Sequence, residues 1–202
     1  MQPDHEVLLE VTPGMPLVLS SASKGDAMKW YQPEHEIFIK ANRFDHGREF
    51  QDSIAEVIAS RLGALLHIPV LEYRLCRIRL EDGKTVLGTV SKNFCRPGES
   101  YISFETMVES ADEPVQWGVS AKENYSLVLD WFKKMTGLDA RPYLDTVLVF
   151  DYLICNEDRH LNNFGVLKNM QDNSYRFPPL FDNGYALGFM QAEYKPGEQY
   201  VY

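Results

Sequence analysis

The most constraining feature of this sequence is an apolar helical run that passes directly into a polar loop. Residues 139–155 read as a helix in which Leu144, Val147, Leu148, Phe150, Leu153 and Ile154 cover most of the circumference. A helix apolar nearly all round is expected to be central and buried. It leads into residues 155–167, C-N-E-D-R-H-L-N-N-F-G-V-L, where Asp158 and Asn163 stand five residues apart. Residues 164–167 and 174–177 flank a polar turn and read as a two-strand ribbon. That ribbon returns the chain to residues 179–184, P-L-F-D-N-G, so that Asp182 is expected to face Asp158 and Asn163.

Two carboxylates and an amide in this arrangement are the minimum equipment for moving a phosphoryl group. One carboxylate takes the proton of the attacking hydroxyl, while an amide oxygen and a second carboxylate hold Mg2+ against nucleotide phosphates. The D-x-x-x-x-N spacing matches the catalytic loop of protein kinases, and the later Asp stands where their D-F-G aspartate stands. Asp and Asn also serve simply to cap and turn loops. Asp182 and the order of elements that precedes the loop give the pattern its weight.

Residues 7–11 and 16–20 read as a β-hairpin around Pro13-Gly14. The small, polar stretch 20–29 then carries Ser23, Lys24, Gly25 and Lys29. Such a loop can bring backbone N–H groups and lysines close to a phosphate, but it is not a Walker A loop. Residues 36–41 alternate as a strand that brings Lys40 near its end. Residues 47–66 read as a helix with an apolar stripe, and Glu49 and Glu56, two turns apart, are the acids that could reach Lys40. Glu56 is preferred, because it lies nearer the middle of the helix. Two strands, 70–80 and 85–92, follow around Asp82-Gly83. Residues 92–98, K-N-F-C-R-P-G, read as a linker containing Lys92 and Phe94. Residues 100–116 read as short helical or irregular chain, and residues 122–135 as a helix.

Composition narrows the partners. A net charge of −9 argues against nucleic acid or an acidic membrane as the main partner, although one nucleotide needs only a local basic pocket. Three widely spaced cysteines suggest neither a metal site nor a disulfide framework, and a reducing cytoplasm is the expected compartment. No signal peptide opens the chain, and no apolar run approaches the roughly 18 residues of a membrane span.

The chain resembles the HipA-like kinases, bacterial serine/threonine kinases that include persistence toxins. The resemblance runs from the Ser20 loop to Gly184 and is most specific in E-D-R-H-L-N-N-F-G-V-L and P-L-F-D-N-G, with support from A-E-V-I-A-S-R-L and V-S-K-N-F. The D-R-H-x-x-N run is also similar to the catalytic loop of phosphatidylinositol kinases. The resemblance implies an α+β, two-lobed protein-kinase-like fold, with an antiparallel-sheet N-lobe carrying one helix (1–93), a hinge (94–99) and a mainly helical, shortened C-lobe (100–202). It implies ATP and Mg2+ as cofactors, Asp158 as catalytic base, Asn163 and Asp182 as metal ligands, and Lys40 on the phosphates. Ser23, Lys24, Gly25 and Lys29 would cover the phosphates. Glu56 would pair Lys40, and Lys92 and Phe94 would lie by the nucleotide at the hinge. His160 would brace the loop by hydrogen bonds beside the nucleotide rather than bind metal, and Arg159 would pair with a local carboxylate. The family also suggests a Ser/Thr protein substrate, a DNA-binding antitoxin partner, and autophosphorylation at Ser20, Ser21 or Ser23.

This sequence is expected to depart from the family in three ways, the first being that the usual N-terminal subdomain of longer members is missing. The loop motif S-x-x-G-x-Q-x-K has Ala27 in place of Gln, and only about twenty residues follow Asp182, where the family normally adds C-lobe helices. The alternatives are a kinase-like module that binds nucleotide or a partner without turnover, and a kinase for lipids or small molecules.

Overall fold

The computed structural model describes residues 7–10, 27–45, 48–111 and 115–188. The first half is built on a five-stranded sheet. Its strands are β1 (Val7–Glu10), β2 (Lys29–Gln32), β3 (Ile37–Ala41), β6 (Tyr73–Arg79) and β7 (Thr85–Lys92), in the order β1-β6-β7-β3-β2. β1 runs parallel to β6, and the other neighbours are antiparallel. The hairpin partner expected for β1 and the loop residues Ser20, Ser21, Ser23, Lys24 and Gly25 lie outside the described residues. The β6–β7 turn forms where Asp82-Gly83 places it, with Gly83 at φ +82° and the Lys84 N–H held by Asp82.

Helix α1 (Asp52–Leu65) begins later than the periodicity predicts. Residues ahead of it form a small ribbon, β4 (Phe44–Asp45) with β5 (Arg48–Glu49). Side chains from the β3 end fix this start. Asn42 accepts the Ser53 N–H, and Arg43 pairs with Asp52 at 2.7 Å. Glu49 therefore lies off the helix, where it accepts hydrogen bonds from Asn42 and from the Leu87 N–H.

The second half holds α2 (Phe104–Glu109), α3 (Ala121–Thr136) and α4 (Arg141–Ile154), with a three-stranded sheet of β8 (Glu99–Ser103), β9 (Gly165–Asn169) and β10 (Tyr175–Arg176). The expected ribbon is β9–β10. The strand β8, expected as helical or irregular chain, forms because β9 pairs with it along its full length. Gly165 permits that approach, since a Cβ there would lie 2.2 Å from the Ile102 carbonyl oxygen. The α3 ends are written locally: Ser120 and Glu123 form a capping box, and Gly137 takes φ +76° beyond the last turn.

Three apolar clusters hold the parts together. Trp30, Ile39, Cys76, Ile78 and Val86 pack on the large sheet. Phe104, Phe132, Leu144, Phe164 and Val166 fill the helical half. Between them, Ala59 of α1 packs with Val147, Phe150 and Ile154 of α4, together with Leu180 and Ala186. This contact fixes α1 against α4. The expectation that α4 is buried all round is corrected: Leu148, Val149 and Leu153 are 54%, 66% and 52% exposed. Its inward face is Leu144, Val147, Phe150, Asp151 and Ile154, and the opposite apolar stripe has no covering element among the described residues.

Candidate active site

Lys40 lies on β3, and its neighbours are set by two packed elements. Its ammonium is 3.0 Å from Glu56 Oε1 on α1 and 2.6 Å from Asp182 Oδ1. Glu56 is fully buried, and its other oxygen accepts the Asn183 N–H at 2.8 Å. Asp182 itself has φ +58°, a left-handed conformation that a non-glycine residue keeps only when its surroundings hold it. The Tyr73 hydroxyl accepts the Asp182 N–H at 3.3 Å. Sequence reasoning did not single out Tyr73, which fell within the strand read over residues 70–80.

The charges of this cluster sustain one another. Burial disfavours the Lys40 ammonium, but Asp182 and Glu56 outweigh it and raise its pKa well above the ordinary lysine value. Burial likewise opposes ionisation of Asp182, yet Lys40 and Lys29 hold its carboxyl below the usual range. Glu56 goes the other way: burial raises its pKa, with Lys40 opposing. Burial lowers the pKa of Lys29, against the pull of Asp182. Lys29 stands opposite Lys40 in the β2–β3 pairing, so two cations converge on Asp182.

The loop after α4 begins at Cys155, whose φ of +51° ends the helix. Asp158 is half-buried. Its carbonyl accepts the Asn163 amide nitrogen at 3.3 Å and the His160 N–H at 3.0 Å. Asn163 is buried, and with its nitrogen so directed, its Oδ1 is the end available to a ligand. His160 Nδ1 accepts the Asn162 N–H at 3.3 Å. Asn162 is fastened in turn to Ser103 and Glu105, and its carbonyl oxygen accepts the Tyr101 hydroxyl. Asn163 and Asp182 offer hard oxygen donors of the kind Mg2+ takes, and they are the residues that could hold it.

Arg159 pairs with Asp151 of α4 and connects the loop to the Asp182 turn. Phe94 at the linker packs on Phe181 and Tyr101, with ring centroids 5.1 and 5.7 Å away, so an aromatic cluster adjoins the same turn. Lys92 is exposed at the end of β7. The structure thus joins Lys40, Glu56 and Asp182 in one ion cluster, with Lys29 opposite Lys40 on the neighbouring strand.

A strand lysine and helix glutamate in one lobe, joined to a helical lobe, define a kinase-like protein. The chain belongs to the HipA-like C-terminal domain family, whose family model matches residues 21–194. It is similar in fold to the crystal structure of a Helicobacter pylori proinflammatory kinase, CtkA. The TM-score is 0.65 at 18% identity, covering 91% of this chain and 60% of that one. The chain therefore spans 60% of that kinase's length. No curated protein matches it.

Proposed function

We propose that this chain is an ATP- and Mg2+-dependent kinase that transfers the γ-phosphoryl group to Ser or Thr of a protein. The observation that carries the reading is the Lys40 ammonium held between Glu56 and Asp182, at 3.0 and 2.6 Å. Family membership and a neighbour described as a kinase support it.

In this reading Asp158 accepts the proton of the substrate hydroxyl as its oxygen bonds to the γ-phosphorus. The bond to the β-phosphate oxygen breaks, and ADP leaves. Lys40, aimed by Glu56, carries charge to the phosphates, and Lys29 adds a second cation from the neighbouring strand. Asn163 and Asp182 would hold Mg2+, which would supply charge neutralisation on the phosphates. Residues 94–99 form the hinge between an N-lobe of residues 1–93 and a C-lobe of residues 100–202, with Phe94 beside the base. His160 braces the loop. Most of the rate comes from positioning and charge neutralisation. Ser23, Lys24 and Gly25 cover the phosphates, and Ser20, Ser21 or Ser23 is the self-modified residue. The proposal extends to a cytoplasmic setting and a DNA-binding antitoxin partner. Among the described residues no helix is long and apolar enough to cross a membrane.

The test is incubation with γ-labelled ATP and Mg2+, beside Asp158→Ala and Asp182→Ala variants. Label on the chain or on an added protein, lost in both variants while their folded spectra persist, supports the reading. Full rate in Asp158→Ala overturns the role of that residue. Nucleotide binding without transfer to any protein would favour a binding module, and transfer to lipids or small alcohols alone would favour the other kinase class.

A further inference from the structure

Arg159 touches the two halves of the proposed site at once. Its Nε and Nη2 donate to the two oxygens of Asp151 at 2.9 and 2.8 Å. Nη1 donates to the Phe181 carbonyl at 2.7 Å, and Nη2 to Asn183 Oδ1 at 2.7 Å. Nη1 also approaches the carbonyl of Asn163 at 3.3 Å. The residues it holds on the far side, Phe181 and Asn183, flank Asp182 in the chain. The residue it follows is Asp158.

Asp151 gives this arrangement a fixed base. It is buried on the inward face of α4, beside Phe150 and Ile154 in the cluster that packs α4 on α1. It also accepts a hydrogen bond from Asn156 at the start of the loop. The Asn183 amide is turned so that its oxygen meets Arg159, although its nitrogen is then buried without a partner. The guanidinium contact therefore decides that orientation, since an unpaired buried donor is costly. Most other anchors serve one segment, Asn163 the Asp158 carbonyl on one side, Glu56 and Tyr73 the Asp182 turn on the other. Tyr101 also touches both, through the Asn162 carbonyl and the Phe181 ring. The Leu187 N–H reaches only the end of α4, at Ile154.

We propose that Arg159 is a positioning residue that locks the Asp158 loop to the Asp182 turn, with Asp151 as its anchor, so that the two segments hold one relative geometry. The inference of a catalytic consequence rests on the phosphotransfer reading; the mechanical tie does not. Lysine cannot replace Arg159. Its donors radiate from one nitrogen, whereas the planar guanidinium meets partners in several directions at once.

The experiment compares native chain, Arg159→Lys and Asn183→Ala by residue-resolved hydrogen exchange, followed by steady-state phosphotransfer. Asn183→Ala leaves the Arg159–Asp151 pair intact and guards against a fold lost in the lysine variant. Expected is faster exchange, by about tenfold, at the amides of both Asn163 and Asn183 in Arg159→Lys, with β6 and β7 unchanged. In Asn183→Ala, exchange at Asn163 should rise although the substitution lies in the other segment. Changes confined to the substituted segment, or none, overturn the tie. In the rate assay both variants should need more Mg2+ for half-maximal velocity, a shift that a smaller folded fraction alone would not produce. An unchanged Mg2+ requirement alongside coupled exchange overturns the catalytic consequence and leaves the tie standing. A native chain without transfer defeats the phosphotransfer reading, and the exchange arm still decides the tie.

Discussion

Lys40 Nζ and Asp182 Oδ1 lie 2.6 Å apart although 142 residues separate them in sequence. This pair joins the sheet of the first half to the turn that follows the ribbon of the second. Lys40→Met should lower the phosphotransfer rate by about 100-fold or more, a typical loss for a positioned charge on the reacting group. It should also cost about 1–3 kcal/mol of stability. The pair is only partly exposed, with side chains 18% and 26% accessible, so solvent screening discounts the cost of breaking a fully buried pair. Urea unfolding and initial rates on the same preparations separate the two effects.

The pH dependence of that stability has a definite sign. The folded-state pKa of Asp182 lies below its unfolded value, because the lysines outweigh burial, so its contribution is present above about pH 4 and is lost as pH falls. That of Lys40 lies above its unfolded value, because its carboxylate partners outweigh burial, so its contribution is complete below about pH 10 and is lost as pH rises. The contribution of the Lys40–Asp182 pair itself should therefore be flat from about pH 5 to 9. In unfolding titrations, a slope inside that window in the difference between native chain and Lys40→Met belongs to Glu56, whose carboxyl Lys40 holds down. Glu56 should add the opposite slope, since its raised pKa makes the folded state bind a proton that the unfolded chain has released.

Tyr73→Phe keeps the ring in its buried place and removes only the hydroxyl that accepts the Asp182 N–H. A stability loss of about 1 kcal/mol is expected, with a rate loss larger than the loss of folded protein. Equal losses in rate and folded fraction would make Tyr73 a packing residue only. Thermal unfolding and rates measured well below the transition decide between them.

Much of the fold was legible where its causes are local. The helix read over residues 122–135 forms as α3 (Ala121–Thr136), and Asp82-Gly83 turns β6 into β7. What was not legible depends on partners far along the chain. β8 is a strand because of β9, and the chain at Glu49 leaves the helix because its carboxylate is taken by Asn42 and Leu87. Within the site, the residue types at Lys40, Glu56, Asp158, Asn163 and Asp182 stood out. The tie from Arg159 to Phe181 and Asn183 did not, because one partner is a backbone carbonyl and the other a side-chain amide 24 positions along the chain.

The two faces of α4 make the last prediction. Phe150 and Leu153 are both large apolar residues on the same helix, three positions apart, and composition cannot rank them. Phe150 is fully buried between α1 and the Asp182 segment, whereas Leu153 is 52% exposed. Phe150→Ala should cost about 3–5 kcal/mol, through lost transfer energy and the cavity left behind. It should also disturb the site, because Phe150 sits beside Asp151, the anchor of Arg159. Leu153→Ser should change stability by about 0.5 kcal/mol or less, as surface substitutions usually do. Unfolding midpoints of the two variants are the measurement. A large loss in Leu153→Ser would mean that the outer face of α4 is covered in solution, and that the apolar pattern read from the sequence describes a helix buried on both sides.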